Sequence, residues 1–392
     1  MLRSLFAGIT GLRAHQTMLE VAGNNIANVN TTGFKASQTV FQDTLSQLLA
    51  GAGAPQGANG GTNPAQVGLG VKTAAIETNF AQGSAQNTGR STDLMIDGDG
   101  FFVVHDNGQT LYTRAGSFSF DTNGRLVTPE GAVVQGWSAN NGVINTNAMP
   151  GDIRLPIGTQ LQPQATKNVT VGGNLPGDQT GGTPVVTTID VYDAQGNKST
   201  LTASFTKTSA TSWDVTVSDG TSTSAPQAVN FKADGSNPTP AAVSFNGMTI
   251  DLSGITNFAG DKTVSATSQD GSGMGSLQSF SMSPDGTLVG VFSNGLKQPL
   301  GQIALANFNN PPGLEKVGDS LYRTTANSGT AQLGVAGTGG FGQLDSGMLE
   351  MSNVDLAQEF TNLIIAQRGF QANSRVITTS DQILQELVNL KQ

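Results

Sequence analysis

The chain is 392 residues long, about two to three times an ordinary domain, and 36% of it is hydrophobic, enough for more than one core. Only 12% is charged and the net charge is −9, so it lacks the basic footprint that nucleic acid or an anionic membrane surface demands. Cysteine is absent, which excludes disulfides, thiolate metal sites and cysteine nucleophiles together.

At the amino end, Thr10, Arg13, His15 and Gln16 interrupt the apolar residues before the core of a Sec signal forms. No apolar run reaches the roughly 18 residues of a membrane span, so no membrane insertion is expected. Leu5, Ile9, Leu12, Gln16, Leu19, Gly23 and Ile26 alternate steps of four and three, the pattern of a coiled-coil seam. Asn28, Asn30, Thr31, Thr32 and Gly33 then compete for backbone hydrogen bonds and predict the end of this helix. Residues 34–75, poor in charge and rich in Ala, Gly, Asn and Gln from 50 to 70, read as an extended connector.

Short strands follow at Phe101 to Val104, Leu111 to Thr113 and Ser117 to Phe120, separated by the turn signals Asp106-Asn107-Gly108 and Asp121-Thr122-Asn123-Gly124. A Thr- and Ser-rich stretch from about 166 to 279 carries further candidates at Val185 to Tyr192, Leu201 to Phe205, Trp213 to Val217 and Met248 to Leu252. The character of the first β stretch returns near Ser281, with Pro284-Asp285-Gly286 as a turn before Val289 to Phe292.

The last segment repeats the first. Leu356, Leu363, Phe370, Ile377 and Leu384 recur every seventh residue, with Phe360, Gln367, Ser374, Asp381 and Val388 at the second seam position. Ser352 followed by Asp355 fits a capping box at its start. The expected fold is multidomain α+β: long coiled-coil-like terminal helices forming an inner domain, with two mostly antiparallel β domains nested between them. Its limits are residues 1–33 with 352–392 for the inner domain and 34–75 for the connector. Residues 76–150 with 280–351 form the middle domain, and 151–279 the outer, inserted one.

Chemistry finds little footing. His15 and His105 lie on different elements and no G-x-S-x-G elbow occurs, so a paired nucleophile and base is not expected. Gly337-Thr338-Gly339-Gly340-Phe341-Gly342 spells G-x-G-x-x-G, but lacks the βαβ context of a dinucleotide site. Asp97-Gly98-Asp99-Gly100 and Asp121-Thr122-Asn123-Gly124 resemble calcium-loop fragments, yet hairpin turns account for both. The heptads point elsewhere. Phe6, Val29, Ile364, Ile383, Leu387 and Leu390 widen the apolar stripes beyond what two paired helices cover. Unlike patches meeting from subunit to subunit build an open helical polymer, with Gln16, Gln367, Ser374 and Asp381 fixing register. The candidate helix and polymer interface is therefore Leu5, Ile9, Leu12, Leu19, Ile26, Leu356, Phe360, Leu363, Phe370, Ile377, Leu384 and Val388.

Asn24-Asn25-Ile26-Ala27-Asn28 leading to Thr32-Gly33-Phe34-Lys35 resembles the amino-end signature of the flagellar rod and hook axial proteins. Asp93 to Val104, Tyr112-Thr113-Arg114-Ala115-Gly116 and Gln135-Gly136-Trp137 resemble that family's middle domain. Ser352 to Leu356, Gln367-Arg368, Phe370 to Asn373 and Val376 to Thr379 resemble its carboxyl helix. The likeness covers about 1–150 and 275–392. It implies a structural subunit with no enzymatic activity, cofactor or metal, and the long insertion selects a subunit of the hook over one of the distal rod, the alternative. It further implies a curved, flexible tubular homopolymer acting as a universal joint that carries motor torque from rod to filament. The implied partners are copies of itself, the distal rod protein, the hook cap protein, the hook-filament junction protein and the flagellar export apparatus. The implied location is extracellular, in the hook and basal-body region of the bacterial flagellum, reached by type III export without a cleaved Sec signal.

Overall fold

The computed structural model describes residues 2–55, 60–140, 142–156, 160–179 and 182–389. The chain divides into two compact units, one of Met1–Leu155, Ser281–Val289 and Pro299–Gln392, the other of Pro156–Phe280 and Gly290–Gln298.

The expected α+β class with a separate coiled-coil inner domain is incorrect. Strands take 44% of the chain against 16% helix, and the described residues hold two α-helices, α1 (Leu2–Ala27) and α2 (Leu356–Asn389). These belong to the same compact unit as the first β stretch and form no domain of their own.

The helices run antiparallel, and their contacts explain why the heptads misled. The inward face of α1 carries Gly8, Gly11, Ala14, Ala22 and Asn25, all buried, one position before the aliphatic column in most heptads. A methyl group built on Gly8 would lie 3.4 Å from Ile377 and one on Gly11 2.8 Å from Asn373, while one on Gly369 would strike the His15 imidazole. Small residues thus let the backbones approach closely, and the larger aliphatic side chains stand on the flanks. Hydrophobicity marks the Leu and Ile column, whereas burial follows the Gly and Ala column. The start of α2 also differs from expectation: its cap is Asp355, whose Oδ1 accepts from the amides of Ala357 (2.9 Å) and Gln358 (3.3 Å), rather than Ser352.

Residues read as an extended connector form an antiparallel ribbon. Ser37–Asp43 pairs with Val71–Thr78, and beyond it Ser46–Ala50 pairs with Ala65–Gly68. Between Asp43 and Lys72 the ribbon has no charged side chain, and it leaves Leu45, Leu48 and Leu49 exposed.

In the first unit, Phe101–Asp106 and Gln109–Thr113 make a hairpin through Asn107 and Gly108, both at positive φ as a tight turn requires. Val133–Asn140 and Leu321–Arg323 extend the antiparallel sheet. Its core is aromatic: Phe101, Tyr112, Trp137, Phe308 and Tyr322 cluster, with edge-to-face ring pairs such as Tyr112 with Phe308 at 4.9 Å. Two short pairings bring the chain back toward α2, Gln343–Ser346 with Leu94–Asp97 and Met348–Glu350 with Ala85–Asn87.

The second unit holds two four-stranded sheets. Val185–Tyr192, Lys198–Lys207, Ser212–Ser218 and Gln227–Asn230 form an antiparallel meander. In the other sheet Asn168–Asn174 runs parallel to Met248–Thr256. Alternating Val, Leu, Ile and Phe from both sheets bury one cluster with Trp213 at its heart.

Candidate assembly surface and its buried anchor

Around the helix pair, the proposed interface residues sort by exposure. Leu5, Ile9, Leu12, Leu19, Ile26, Leu363, Phe370, Ile377 and Leu384 are half-buried flanks. Leu356, Phe360 and Val388 are exposed, Phe360 at 52%, and they are joined by Phe6, Ile364, Ile365 and Ile383. Val29 is half-buried. Leu390 and the Leu387 side chain lie outside the described residues. Gln16, Gln367 and Asp381 are exposed and Ser374 is half-buried. Apolar side chains this large, ranged along one helix pair, form a surface suited to covering by another chain.

The motif at the end of α1 has another task. Asn25 is buried and clamps three elements: its Nδ2 donates to the Ser37 carbonyl (2.7 Å) and to Glu359 Oε1 on α2 (3.0 Å), and its Oδ1 accepts from the Ser37 amide (3.0 Å). Asn28 ends the helix, its Nδ2 donating to the Asn24 carbonyl (2.9 Å) and its Oδ1 accepting from Thr31 Oγ1 (3.1 Å). Asn24 and Ala27 are exposed, and Ile26 and Thr32 half-buried. Phe34 lies under Lys316, whose Nζ is 4.9 Å from the ring centre and donates to the Lys35 carbonyl. Burial pulls the Lys316 ammonium below the usual lysine range.

Gly33 is the pivot. It has φ +66°, and its amide donates to the Glu350 carbonyl (2.8 Å). A Cβ there would lie 2.5 Å from the Ala115 backbone nitrogen. Gly33→Ala is therefore expected to lower stability by about 1–3 kcal/mol, read as a lower denaturation midpoint for the first unit; an unchanged midpoint would mean the turn relaxes freely.

Beside it lies a buried ionic cluster. Lys35 Nζ sits 2.6 Å from Glu350 Oε1, both side chains fully buried, and donates also to the Ala81 carbonyl (2.8 Å). The same carboxylate oxygen accepts the Gly83 amide (2.9 Å), and Arg114 Nη1 stands 3.6 Å from Oε2. Arg114 lies across the Phe101 ring at 5.3 Å. Burial pulls the Lys35 ammonium below the ordinary lysine range, and the Glu350 carboxylate opposes that shift. Burial lowers Arg114 in the same way, opposed by Glu350 and Asp99. Asn353 completes the anchor, its Nδ2 donating to the carbonyls of Asn79 (2.8 Å) and Ala81 (2.9 Å) and its Oδ1 accepting from the Ala36 amide (2.8 Å).

Sequence reading found Asn25, Gly33 and Lys35 as motif letters but missed Glu350, a lone acid in a short strand. The Lys35 bond to it spans 315 residues, and no local pattern announces such a partner.

The exposed side of the motif lines a cleft of about 540 Å³ with Asn24, Asn28, Thr31, Lys316 and Tyr322 in its wall, and no histidine lines it. Among the described residues no cluster of His, Asp and Glu fits a metal ion. The G-x-G-x-x-G stretch is a turn between Gln332–Val335 and Gln343–Ser346, with no helix opening on it. His15 lies in the helix seam, 6.1 Å from the Phe41 ring, and His105 is exposed on a strand.

Comparison with known proteins agrees with this geometry. Residues 5–35 match the family described as flagella basal body rod protein, and 95–174 the flagellar hook protein FlgE/F/G D1 domain. Residues 174–272 match the flagellar basal body protein FlaE D2 domain, which accounts for an insertion whose sequence carried no legible motif. Residues 345–390 match the flagellar basal body rod FlgEFG protein C-terminal family. The chain is 41% identical over 442 aligned positions to the flagellar hook protein FlgE of Borreliella burgdorferi, covering all of both chains. It is 39% identical over 464 positions to that of Treponema pallidum, again end to end. The flagellar basal-body rod protein FlgG of Bacillus subtilis is 36% identical over 393 positions, also across both whole chains. The crystal structure of Helicobacter pylori flagellar hook protein FlgE2 shares the fold with a TM-score of 0.55 at 16% identity, over 68% of this chain and all of that one.

Proposed function

Because the chain belongs to the flagellar hook and rod protein family and is a structural subunit of the bacterial flagellar hook, not an enzyme, we propose that it polymerises into a curved, flexible tube that carries motor torque from rod to filament. The observation that carries the polymer reading is the exposed apolar column on the antiparallel helices, from Leu356 and Phe360 through Ile364 to Val388. Covered by unlike surfaces of neighbouring copies, such a column yields contacts that repeat without closing, hence a helical assembly. The helix pair holds together through its small-residue seam and leaves this column free for neighbours.

In this reading the tube begins on the distal rod protein, grows beneath a hook cap protein and ends at a hook-filament junction protein. Its subunits leave the cell through the flagellar export apparatus without losing a signal segment. The chain has no cysteine to cross-link in transit. A subunit of the distal rod is the second reading, favoured by the end-to-end likeness to a rod-named relative. Hook-named relatives from several species favour the hook.

Phe360→Ser with Ile364→Ser tests the polymer reading without touching a buried residue. The doubly substituted subunit is expected to keep its circular dichroism and unfolding midpoint while its critical concentration for assembly rises at least about tenfold, since two large side chains would lose about 1.5–3 kcal/mol of burial each. Assembly at the wild-type concentration would refute the role of this column. Electron microscopy of the wild-type product separates the two axial readings, curved tubes for a hook and short straight ones for a rod.

A further inference from the structure

We infer that the cluster of Asn25, Lys35, Glu350 and Asn353 is a two-ended latch that closes last in folding, so that the motif at the end of α1 orders only once the segment before α2 has arrived. The argument rests on which bonds hold each end. Within residues 25–37 local bonds shape the turn, but four groups are fixed from far along the chain: the Gly33 amide by the Glu350 carbonyl, the Ala36 amide by Asn353 Oδ1, Lys35 Nζ by Glu350, and Asn25 by Glu359. In return, Glu350 Oε1 accepts from Lys35 and from the Gly83 amide, and Asn353 donates to the carbonyls of Asn79 and Ala81.

Two physical facts make closure late and all-or-none. The Lys35 to Glu350 bond closes a loop of 315 positions, and closure entropy rises with the logarithm of loop length, so the bond is unfavourable until the intervening chain has compacted. The participants are also charged and fully buried. Lys35 without Glu350 would be a desolvated charge held by the Ala81 carbonyl alone, and Glu350 without Lys35 and Gly83 would keep Arg114 at 3.6 Å but no hydrogen bond to its carboxylate, so a half-shut latch is less stable than an open one. The unit of Pro156–Phe280 and Gly290–Gln298 differs in both respects. Its meander pairs neighbours in sequence, Val185–Tyr192 with Lys198–Lys207 and that strand with Ser212–Ser218, and its core is apolar. Local pairings form first. The latch therefore reports completeness: a chain lacking Glu350 and the residues after it loses the distal partners of Gly33, Lys35, Ala36 and Asn25 together. This inference concerns folding and stands apart from the polymer reading, which assembly assays test separately.

Refolding of the full chain with pulsed hydrogen exchange and mass-spectrometric or NMR readout decides it. Amides of Lys198–Lys207 and Ser212–Ser218 are expected to gain protection in an early phase. Those of Gly33, Ser37 and Gly83 should gain it later with one shared rate constant. In Glu350→Gln, native-state exchange at these same three amides should quicken together by at least about tenfold, with the meander unchanged. Ser37 is the informative site, because its amide bonds Asn25 rather than Glu350. Protection of Gly33 or Ser37 ahead of the meander, or at a rate different from Gly83, would overturn the inference. So would a Glu350→Gln effect confined to Gly83. If Glu350→Gln leaves the first unit unfolded, the wild-type order of protection decides alone.

Discussion

Replacing Glu350 by Gln is expected to cost the first unit about 3–5 kcal/mol, because it leaves Lys35 as a buried ammonium without a carboxylate and removes the charge nearest Arg114. Both partners are fully or nearly fully buried, so water does not replace the lost interaction. Asp99 still opposes the effect of burial on Arg114 but gives Lys35 nothing. Equilibrium denaturation should show the transition of the first unit shifted and that of the second in place. Lys35→Met in the Glu350→Gln background should recover part of the loss, since it removes the uncompensated charge. The double-mutant cycle should report a coupling of more than about 1 kcal/mol. A loss below about 1 kcal/mol for Glu350→Gln alone would mean that the chain tolerates the orphaned ammonium, and the anchor would be no anchor.

Trp213→Ala should have a comparable effect in the other unit. The indole is wholly buried at the centre of the two-sheet core, and its Nε1 donates to Asn257 Oδ1 at 3.1 Å. Truncation removes the largest side chain of that core and leaves a cavity, for which about 3–5 kcal/mol is the ordinary cost, and it also strips the buried Asn257 oxygen of its donor. For a domain held by roughly 5–15 kcal/mol in total, this is a large fraction. Trp213→Phe keeps most of the volume and should cost visibly less. Calorimetry is expected to show two transitions, with only that of the second unit moving. If both transitions fell together, the units would not be separate cooperative bodies.

The sequence disclosed the elements better than their partners. The Asn and Thr cluster from Asn28 marked the end of α1, because such side chains satisfy backbone groups locally, and Asn28 does so through Asn24 and Thr31. Asp106-Asn107-Gly108 gave its hairpin for a similar reason: positive φ is a property of the residues themselves. Val185 to Tyr192 was found at both limits by its β-branched run between turn signals. What failed was the step from pattern to burial. The heptads follow side-chain size, but the helices meet along Gly8, Gly11 and Gly369, which carry no hydrophobic signal at all. The same error produced a coiled-coil domain where the structure has a helix pair within a mostly β unit. Glu350 escaped because its partners are fixed by the fold rather than by spacing, and a lone acid beside a strand end looks like a solvated one until Lys35 is placed against it.

The glycine and alanine seam has a consequence for how such a subunit can vary. On the proposed assembly, cohesion of the helix pair and adhesion to neighbours fall to different residues on the same two helices. Phe360, Ile364 and Val388 are exposed, so substitutions there would retune the proposed contacts without loosening the pair, whereas any side chain larger than hydrogen at Gly11 or Gly369 has to displace Asn373 or His15. Natural variation and suppressor screens should therefore fall into two separable classes, a permissive outer stripe and a nearly frozen inner one. A mechanical subunit built this way is able to change its lattice while keeping its shape.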